Sequence, residues 1–246
     1  MSRISGKTAL VTGANRGIGK AFVEQLLAAG AAKIYATARN KDSLADLVAN
    51  SNGRVIALTL DVTKPDQVAT VAKAAADVSL LINNAGVAAY ESILQAPSAD
   101  SARDEMETNY FGPFNTIRAF APVLKSNGGG VIVNVSSIAA HVTFPVLGTY
   151  SASKAAVHSL TQSVRAELAA QGTLVVGVYP GPVDTDMAEH VPMEKTPTSV
   201  VAKAVLDGIE AGEEDIYPDP TAIDMHAGLL ADPKAAERQA GLMLPQ

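Results

Sequence analysis

Tyr150 and Lys154 stand four residues apart in the stretch TYSASKAAVHSL (149–160), where most neighbouring side chains are small. At this spacing on a helix, two side chains lie on the same face, one turn apart. A free phenol loses its proton at about pH 10, and a nearby ammonium group favours the phenolate and lowers that pKa. The pair therefore predicts a proton donor and acceptor, with Tyr150 as the general acid or base.

Three glycines form a second candidate site near the start of the chain. Gly13, Gly17 and Gly19 lie in TGANRGIG (12–19), directly after the apolar run TALVT (8–12). Glycines at a strand-to-helix turn let the backbone approach a pyrophosphate, and the helix N-terminus offers free amides and a positive dipole end. The stretch therefore predicts a dinucleotide site at the first turn.

Apolar runs and helical stretches alternate along the chain. The predicted strands are 8–12, 33–38, 55–60, 80–83, 131–135 and 174–179, and the predicted helices are 18–29, 43–50, 65–76, 99–125 and 150–170. Buried strands that are regularly separated by helices imply a parallel sheet covered on both faces. We predict one α/β domain over residues 1–246, a doubly wound Rossmann fold with ligands at the carboxyl ends of its strands.

Composition narrows the possible functions. The net charge of -6 argues against a nucleic-acid partner, which calls for a basic surface. Four histidines and no cysteine leave little material for a metal site, so none is predicted. The first strand follows MSRISGK without room for a signal peptide, and no apolar run reaches the ~18 residues of a membrane span. We expect a cytoplasmic protein with no membrane contact.

The patterns T-G-x-x-x-G-x-G and Y-x-x-x-K together resemble those of the short-chain dehydrogenase/reductase family. The resemblance extends from about Lys7 to Thr185 and includes Asp61-Val62, the segment NNAG (83–86) and the loop PGPVDT (180–185). It implies a nicotinamide-dependent oxidoreductase that transfers a hydride between the cofactor and a carbonyl compound or secondary alcohol.

The resemblance also implies the roles of individual residues. The implied catalytic set is Asn109, Ser137, Tyr150 and Lys154; the implied cofactor-binding set is Gly13, Asn15, Arg16, Gly17, Ile18, Gly19, Ala38, Arg39, Asp61, Val62, Asn84, Ala85, Gly86, Tyr150, Lys154, Pro180, Gly181, Val183 and Thr185. Family spacing places the active serine 13 residues before the tyrosine, which selects Ser137 over Ser136. Asn109 is expected to interrupt a helix and support a water relay to Lys154; its alternative is a local kink without a catalytic part.

The end of the second strand indicates which nicotinamide cofactor is used. An acidic residue there accepts hydrogen bonds from the adenosine ribose and disfavours a 2′-phosphate. This chain has Ala38 at that position, followed by Arg39, and Arg16 lies inside the glycine turn. Two guanidinium groups can bind a phosphate through charge-assisted hydrogen bonds, although both could be ordinary surface charges. We predict NADP(H) rather than NAD(H).

Two segments are expected to frame a small-molecule substrate, namely 139–148 and the short loop 186–196. Their apolar residues, Val142, Phe144, Val146, Leu147, Met187, Val191 and Met193, suit a hydrophobic ketone or aldehyde, although each could instead pack on the core. Where relatives often end their last strand in V-D-G-G, this chain has DIYPDP (215–220) and then a tail at about 219–246. That departure puts the usual tetramer contacts in doubt, so a homodimer through helices 99–125 and 150–170 is expected, with a homotetramer as the alternative.

Other functions remain open at this point. A 3-oxoacyl-carrier-protein reductase would need basic residues to meet an acidic carrier, and the corresponding regions hold Gly128–Gly130 and Gln171. A hydroxysteroid reductase is compatible with the apolar loop. A non-enzymatic NADP(H)-sensing regulator is a different class, but sensors of this kind usually lack the tyrosine or lysine that this chain retains.

Overall fold

The computed structural model describes residues 2–244 and contains one sheet of seven parallel strands. The strands are β1 Thr8–Val11, β2 Lys33–Ala38, β3 Val55–Thr59, β4 Leu80–Asn83, β5 Gly130–Val135, β6 Thr173–Val178 and β7 Asp215–Ile216. Their order across the sheet is β3-β2-β1-β4-β5-β6-β7, so the order in which strands are added reverses between β1 and β4, which is the topological switch point. This confirms the predicted doubly wound Rossmann fold. Met1, Pro245 and Gln246, which belong to the predicted domain and tail, lie outside the described residues.

Nine α-helices connect the strands or follow them within residues 2–244. They are α1 Gly17–Ala28, α2 Ala45–Ala49, α3 Pro65–Ala74, α4 Asp100–Glu105, α5 Gly112–Ser126, α6 Gly148–Leu168, α7 Thr198–Ala211, α8 Pro220–Ala231 and α9 Pro233–Ala240. The predicted helix 99–125 is not continuous, because a π-helical segment over Met106–Phe111 separates α4 from α5. None of these helices is long and apolar enough to cross a membrane.

Side chains that alternate along the strands build a separate core on each face of the sheet. On one face, Ala9 and Ile82 pack with α1 and α7, which contribute Phe22 and Val205 among others. On the other face, Leu10, Leu81 and Ile132 pack with α3, α5 and α6, including Phe120 of α5. Because both faces are covered, the strand sequences are continuous apolar runs and do not alternate between apolar and polar residues. The open edge at the carboxyl ends is left for ligands.

A buried chain of polar side chains fixes the carboxyl ends of β4 and β5 to the helices. Asn83 donates from Nδ2 to Asn134 Oδ1 at 2.8 Å and accepts from Thr116 Oγ1 of α5 at 2.6 Å. Asn134 donates in turn to Thr161 Oγ1 of α6 at 3.0 Å. All four residues are buried, and buried polar groups stabilise a structure only when they are hydrogen-bonded. The network therefore sets the position of α5 and α6 relative to the sheet.

The tail forms helices α8 and α9, which pack on the segment after β5. Ala240 of α9 and Met225 of α8 belong to a small apolar cluster with Val142, Phe144 and Tyr150. Val142 and Phe144, which were expected to line a substrate wall, are thus also packing residues for the tail.

Candidate active site

Hydrogen bonds tie the glycine turn to the end of β4. Asn84 donates from Nδ2 to the carbonyl oxygens of Thr12, at 2.9 Å, and Gly13, at 3.2 Å. The Thr12 hydroxyl accepts from the backbone amides of Asn84 at 2.9 Å and Ala85 at 3.0 Å. The two strands on either side of the switch point therefore hold one rigid turn between them.

The glycines of this turn are required by close approach. A Cβ atom at Gly19 would stand 2.2 Å from the Gly13 carbonyl oxygen and 2.5 Å from Asn84 Nδ2, and Gly13 and Gly17 have positive φ angles. Helix α1 begins at Gly17, and no side chain caps its first amides. A backbone turn without side chains and with free amides fits a bound pyrophosphate.

The loop at 180–185 closes against the glycine turn. A Cβ atom at Gly17 would meet Thr185 Cγ2 at 3.2 Å, so these two residues are neighbours. Arg16 and Asp186 form an exposed ion pair of 2.8 Å between the same two segments. The Gly181 amide donates to Asp219 Oδ2 at 2.8 Å, which fixes the start of the loop to the N-terminus of α8.

Helix α6 carries Tyr150 and Lys154 into the same region. Lys154 Nζ lies 5.5 Å from the centre of the Tyr150 ring and donates to the Val135 carbonyl oxygen at 2.9 Å. Ser137, after β5, donates to the Pro180 carbonyl oxygen at 3.4 Å and lies near enough to the Tyr150 phenol to oppose the rise of its pKa. Ser136 instead donates to the Lys154 carbonyl oxygen at 3.0 Å, which anchors the helix. The structure thus brings together three of the residues predicted to be catalytic.

Asn109, the fourth predicted catalytic residue, lies in the π-helical segment and is buried. Its side chain accepts from the Val87 amide and donates to the Val87 carbonyl, both at 2.9 Å, and also donates to Ser153 Oγ at 2.9 Å. A Cβ atom at Gly86 would stand 3.2 Å from Asn109 Oδ1 and 3.5 Å from Lys154 Nζ. The predicted helix interruption at Asn109 is confirmed, and it places the amide beside the lysine.

The expected lowering of the Tyr150 pKa by Lys154 is wrong for this structure. Burial raises the pKa of the phenol well above its ordinary value, and Tyr90 and Glu105 add to this effect, while Ser137 opposes it. Burial lowers the pKa of Lys154 to about 8. Desolvation disfavours the charged form of both groups and is the largest contribution to each shift. Tyr150 is therefore a neutral phenol near neutral pH.

The remaining residues of the predicted cofactor set lie around the same edge. Ala38 is buried and Arg39 is exposed at the end of β2, whereas Asn15 is exposed and Ile18 packs on the core. The other members are placed at the ends of β3 and β6: Asp61 accepts from the amide and hydroxyl of Thr63, Val62 contacts Gly112, and Pro180 and Val183 are buried in the closing loop.

Two buried carboxylates at this edge were missed by the sequence argument. Asp219 is buried and accepts from Gly181 and, at 2.9 Å, from the Ala222 amide of α8. An aspartate directly before Pro220 is a helix N-cap signal, so the capping role of Asp219 could have been predicted from the sequence. Its contact with Gly181 depends on the fold and could not. Glu105 is buried one turn before Asn109.

Within residues 2–244, no group of three or more acidic or histidine side chains is placed to hold a metal ion.

Comparison with known proteins identifies the family. The model of the short chain dehydrogenase family matches residues 7–196. The chain belongs to the short-chain dehydrogenase/reductase family. A 3-oxoacyl-[acyl-carrier-protein] reductase, FabG of Vibrio cholerae, is 35% identical over 244 residues, which are 95% of this chain and 93% of the relative. This short-chain dehydrogenase/reductase is therefore an oxidoreductase.

Solved structures of other members have the same fold. A short chain dehydrogenase from Burkholderia cenocepacia in complex with NADP matches with a TM-score of 0.92 and 43% identity, over 100% of both chains. A short-chain dehydrogenase/reductase from Burkholderia phymatum in complex with NAD matches with a TM-score of 0.85 and 28% identity, over 96% of both chains. The fold thus serves either nicotinamide cofactor, and side chains of the individual chain must distinguish them.

The close approach at Gly19 leads to a stability prediction. Gly19→Ala should lower the free energy of unfolding by about 1–3 kcal/mol, because the methyl group overlaps backbone and Asn84 atoms that are themselves held. Gly228→Ala is the control, since a Cβ atom there meets nothing within 4 Å, and it should stabilise α8 by up to ~1 kcal/mol. Urea unfolding of the three chains measures both effects. A Gly19→Ala chain as stable as the wild type would contradict the described turn.

Proposed function

We propose that this short-chain dehydrogenase/reductase is an NADP(H)-dependent carbonyl reductase, reversible as an alcohol dehydrogenase, with Tyr150 as its general acid and base. The observation that carries the proposal is the half-buried phenol of Tyr150, whose ring centre lies 5.5 Å from Lys154 Nζ and which has Ser137 nearby. A neutral phenol has a proton to give to a carbonyl oxygen, and the nearby ammonium stabilises the phenolate that remains. When bound, the nicotinamide supplies or accepts the hydride.

The neighbouring groups have separate parts in this chemistry. Ser137 orients the carbonyl group and stabilises developing charge on its oxygen through its hydroxyl. Lys154 is fixed by its bond to the Val135 carbonyl oxygen, and its remaining donors would hold the ribose of a bound cofactor. Asn109 holds the Val87 backbone and Ser153 next to the lysine, which supports a path for the returning proton. Thr185, next to Gly17, would hold the nicotinamide carboxamide.

The end of β2 supports NADP(H) as the cofactor. Ala38 offers no carboxylate to the adenosine ribose, and Arg39 is exposed and free to meet a 2′-phosphate. The glycine turn that carries Arg16 is bonded to β2 through the Ala14 amide and the Thr37 carbonyl oxygen at 2.9 Å. The Arg16 guanidinium can exchange the exposed Asp186 for a phosphate at little cost, because surface ion pairs are weak. The NADP complex of the Burkholderia cenocepacia relative agrees with this choice.

Exposed apolar residues near the site support a hydrophobic ketone or aldehyde as substrate. Ile93 contacts Gly148, two residues before Tyr150, and is 69% exposed, while Leu94 beside it is 97% exposed. Met187 and Met193, in the loop at 186–196, are also exposed. Apolar surface of this extent around a polar centre is typical of a ligand-binding rim.

A second candidate is reduction of an acyl group on a carrier protein, which the likeness to FabG of Vibrio cholerae favours. The two regions expected to hold basic docking residues instead contain residues with local structural roles. Gly128 and Gly129 form a tight turn with positive φ angles, and Gln171 is bonded to Thr173 Oγ1 at 2.8 Å. We therefore rank free carbonyl compounds above carrier-bound ones.

We further propose that the protein is a homodimer through α5 and α6. A groove of about 600 Å³ lies between these helices. It is lined mainly by apolar side chains, including Tyr110, Phe114, Ile117, Leu160, Val164 and Leu168. The same groove on a second copy would match it by two-fold symmetry, since an isologous interface uses one patch twice.

Loss of the phenol tests the proposed chemistry. Tyr150→Phe should reduce kcat for NADPH-dependent ketone reduction by about 10²–10⁴-fold, because the proposed general acid loses the proton that it donates. Absorbance of NADPH is followed against a panel of ketones, aldehydes, steroids and acyl thioesters. Tyr35→Phe, a buried phenol on β2, is the matched control and should retain activity. Turnover unchanged in Tyr150→Phe would remove the phenol from the mechanism, and wild-type NADPH binding without any turnover would favour a sensor.

Cofactor choice is tested at Arg39. Arg39→Ser should raise KM for NADPH by about 10–100-fold and leave KM for NADH nearly unchanged, because one charge-assisted hydrogen bond to the phosphate is lost. Arg103→Ser removes another exposed arginine, from α4, and should change neither constant. A wild-type KM lower for NADH than for NADPH would refute the preference.

The oligomeric state is tested in the groove. The wild type should sediment at micromolar concentration with about twice its monomer mass of 25.3 kDa. Leu160→Glu should shift the equilibrium to monomer, with Kd weakened at least about 100-fold, because a charge would be buried at the interface. Leu230→Glu, on the exposed side of α8, is the control and should remain dimeric. A dimeric Leu160→Glu chain would place the interface elsewhere.

A further inference from the structure

Glu105 is a buried carboxylate for which the mechanism above has no use. It ends α4, is 1% exposed and lies one helical turn before Asn109. Its Oε1 accepts from the Ala89 amide at 2.8 Å, while its Oε2 is buried without a hydrogen-bond partner. Burying a carboxylate in this way is costly unless another charge compensates it. An unexplained buried charge next to a catalytic centre calls for a function.

Lys154 is a buried positive charge whose hydrogen-bond partner carries no negative charge. It is 4% exposed, and its Nζ donates to the Val135 carbonyl oxygen, which is neutral. Across residues 2–244, no carboxylate lies within 4.0 Å of this ammonium group. Glu105 lies one helical turn before Asn109, and a Cβ atom at Gly86 would meet both Asn109 Oδ1, at 3.2 Å, and Lys154 Nζ, at 3.5 Å. The negative charge of Glu105 is therefore near enough to favour the charged lysine against the effect of burial. At low dielectric such an interaction acts well beyond contact distance.

Glu105 also fixes the backbone that carries Tyr90. Tyr90 has a φ angle of 56°, which is uncommon for a bulky residue and persists only where the surroundings hold it. The bond from the Ala89 amide to Glu105 Oε1 immediately precedes this residue. Tyr90 lies near enough to Tyr150 to disfavour its ionisation. The charge and the hydrogen bond of Glu105 thus act on the same centre from two sides.

We propose that Glu105 is a positioning residue of the catalytic centre: its buried carboxylate is the counter-charge that keeps Lys154 in its ammonium form, and its bond to Ala89 holds Tyr90 beside Tyr150. The proposal rests on the proposed function for its kinetic consequences. The lysine's charge state, however, is a property of the chain itself. The other titratable groups of this region are Tyr90 and Tyr150, and Glu91, whose Oε2 is also buried.

The direction of the pH effect follows from the charges. Carbonyl reduction needs the ammonium form of Lys154, whose pKa burial lowers to about 8, so activity is lost as pH rises through this region. Removing the negative charge of Glu105 removes the contribution that raises the lysine pKa. The alkaline limb of kcat should therefore move to lower pH, while the KM for NADPH changes little.

The experiment compares Glu105→Gln, which keeps an oxygen for the Ala89 amide, with the wild type. We expect the alkaline limb of kcat to move by about one pH unit toward lower pH. Glu105→Asp keeps the charge one methylene further back and should give a limb between the two. Glu107→Gln, at an exposed glutamate two residues further on in the π-helical segment, is the matched control and should leave the limb unchanged. Thermal unfolding checks that each chain is folded.

A second readout needs no turnover. The ¹³Cε resonance of Lys154 in lysine-labelled protein, assigned with Lys154→Met, reports the titration of the amine directly. Its midpoint should be lower in Glu105→Gln than in the wild type and intermediate in Glu105→Asp. If the wild type lacks reductase activity, the proposed function fails while this titration still decides on Glu105. Should Glu105→Gln not fold, the Asp variant decides. A lysine midpoint that Glu105 variants do not move overturns the proposal.

Discussion

The catalytic edge of this protein depends on keeping one ammonium group almost completely out of water. Lys154 Nζ is held by the Val135 carbonyl oxygen, and the helix that carries it is held by the bond from Ser136 to the Lys154 carbonyl. Both contacts come from the end of β5, so the position of the charge is set by the sheet rather than by a loop. Desolvation is the cost of this arrangement, and it governs the protonation of the phenol and amine alike.

The polar network beneath this edge explains why the site is rigid. Asn83 and Asn134 on neighbouring strands join Thr116 and Thr161 on the two helices that flank the site. A slip of either helix would leave several buried polar groups unpaired, which is costly in a low-dielectric interior. The same helices border the groove proposed as the dimer interface, so the proposed association and the proposed catalysis would depend on the same two helices.

The sequence was sufficient for the fold and for most of the edge. Continuous apolar runs identify buried parallel strands, and TGANRGIG after the first strand identifies the turn, because both signals are local. Local signals could not give the pKa of Tyr150, because the spacing to Lys154 is visible in the chain whereas the desolvation of the two side chains is not. Glu105 was overlooked for the same reason. Its hydrogen bond with the Ala89 amide and the effect of its charge on Lys154 depend on the fold and are not visible in the sequence.

Asp219 connects a part of the chain that the family model matches with a part that lies beyond the match. The family model ends at residue 196, yet the amide of Gly181, inside the matched region, is bonded to Asp219 beyond it. The same carboxylate caps α8 through the Ala222 amide. Exchange of C-terminal segments between relatives is therefore not modular. A chimera that replaces residues after 196 must bring an equivalent acceptor to Gly181, or the loop that closes over the glycine turn loses its anchor.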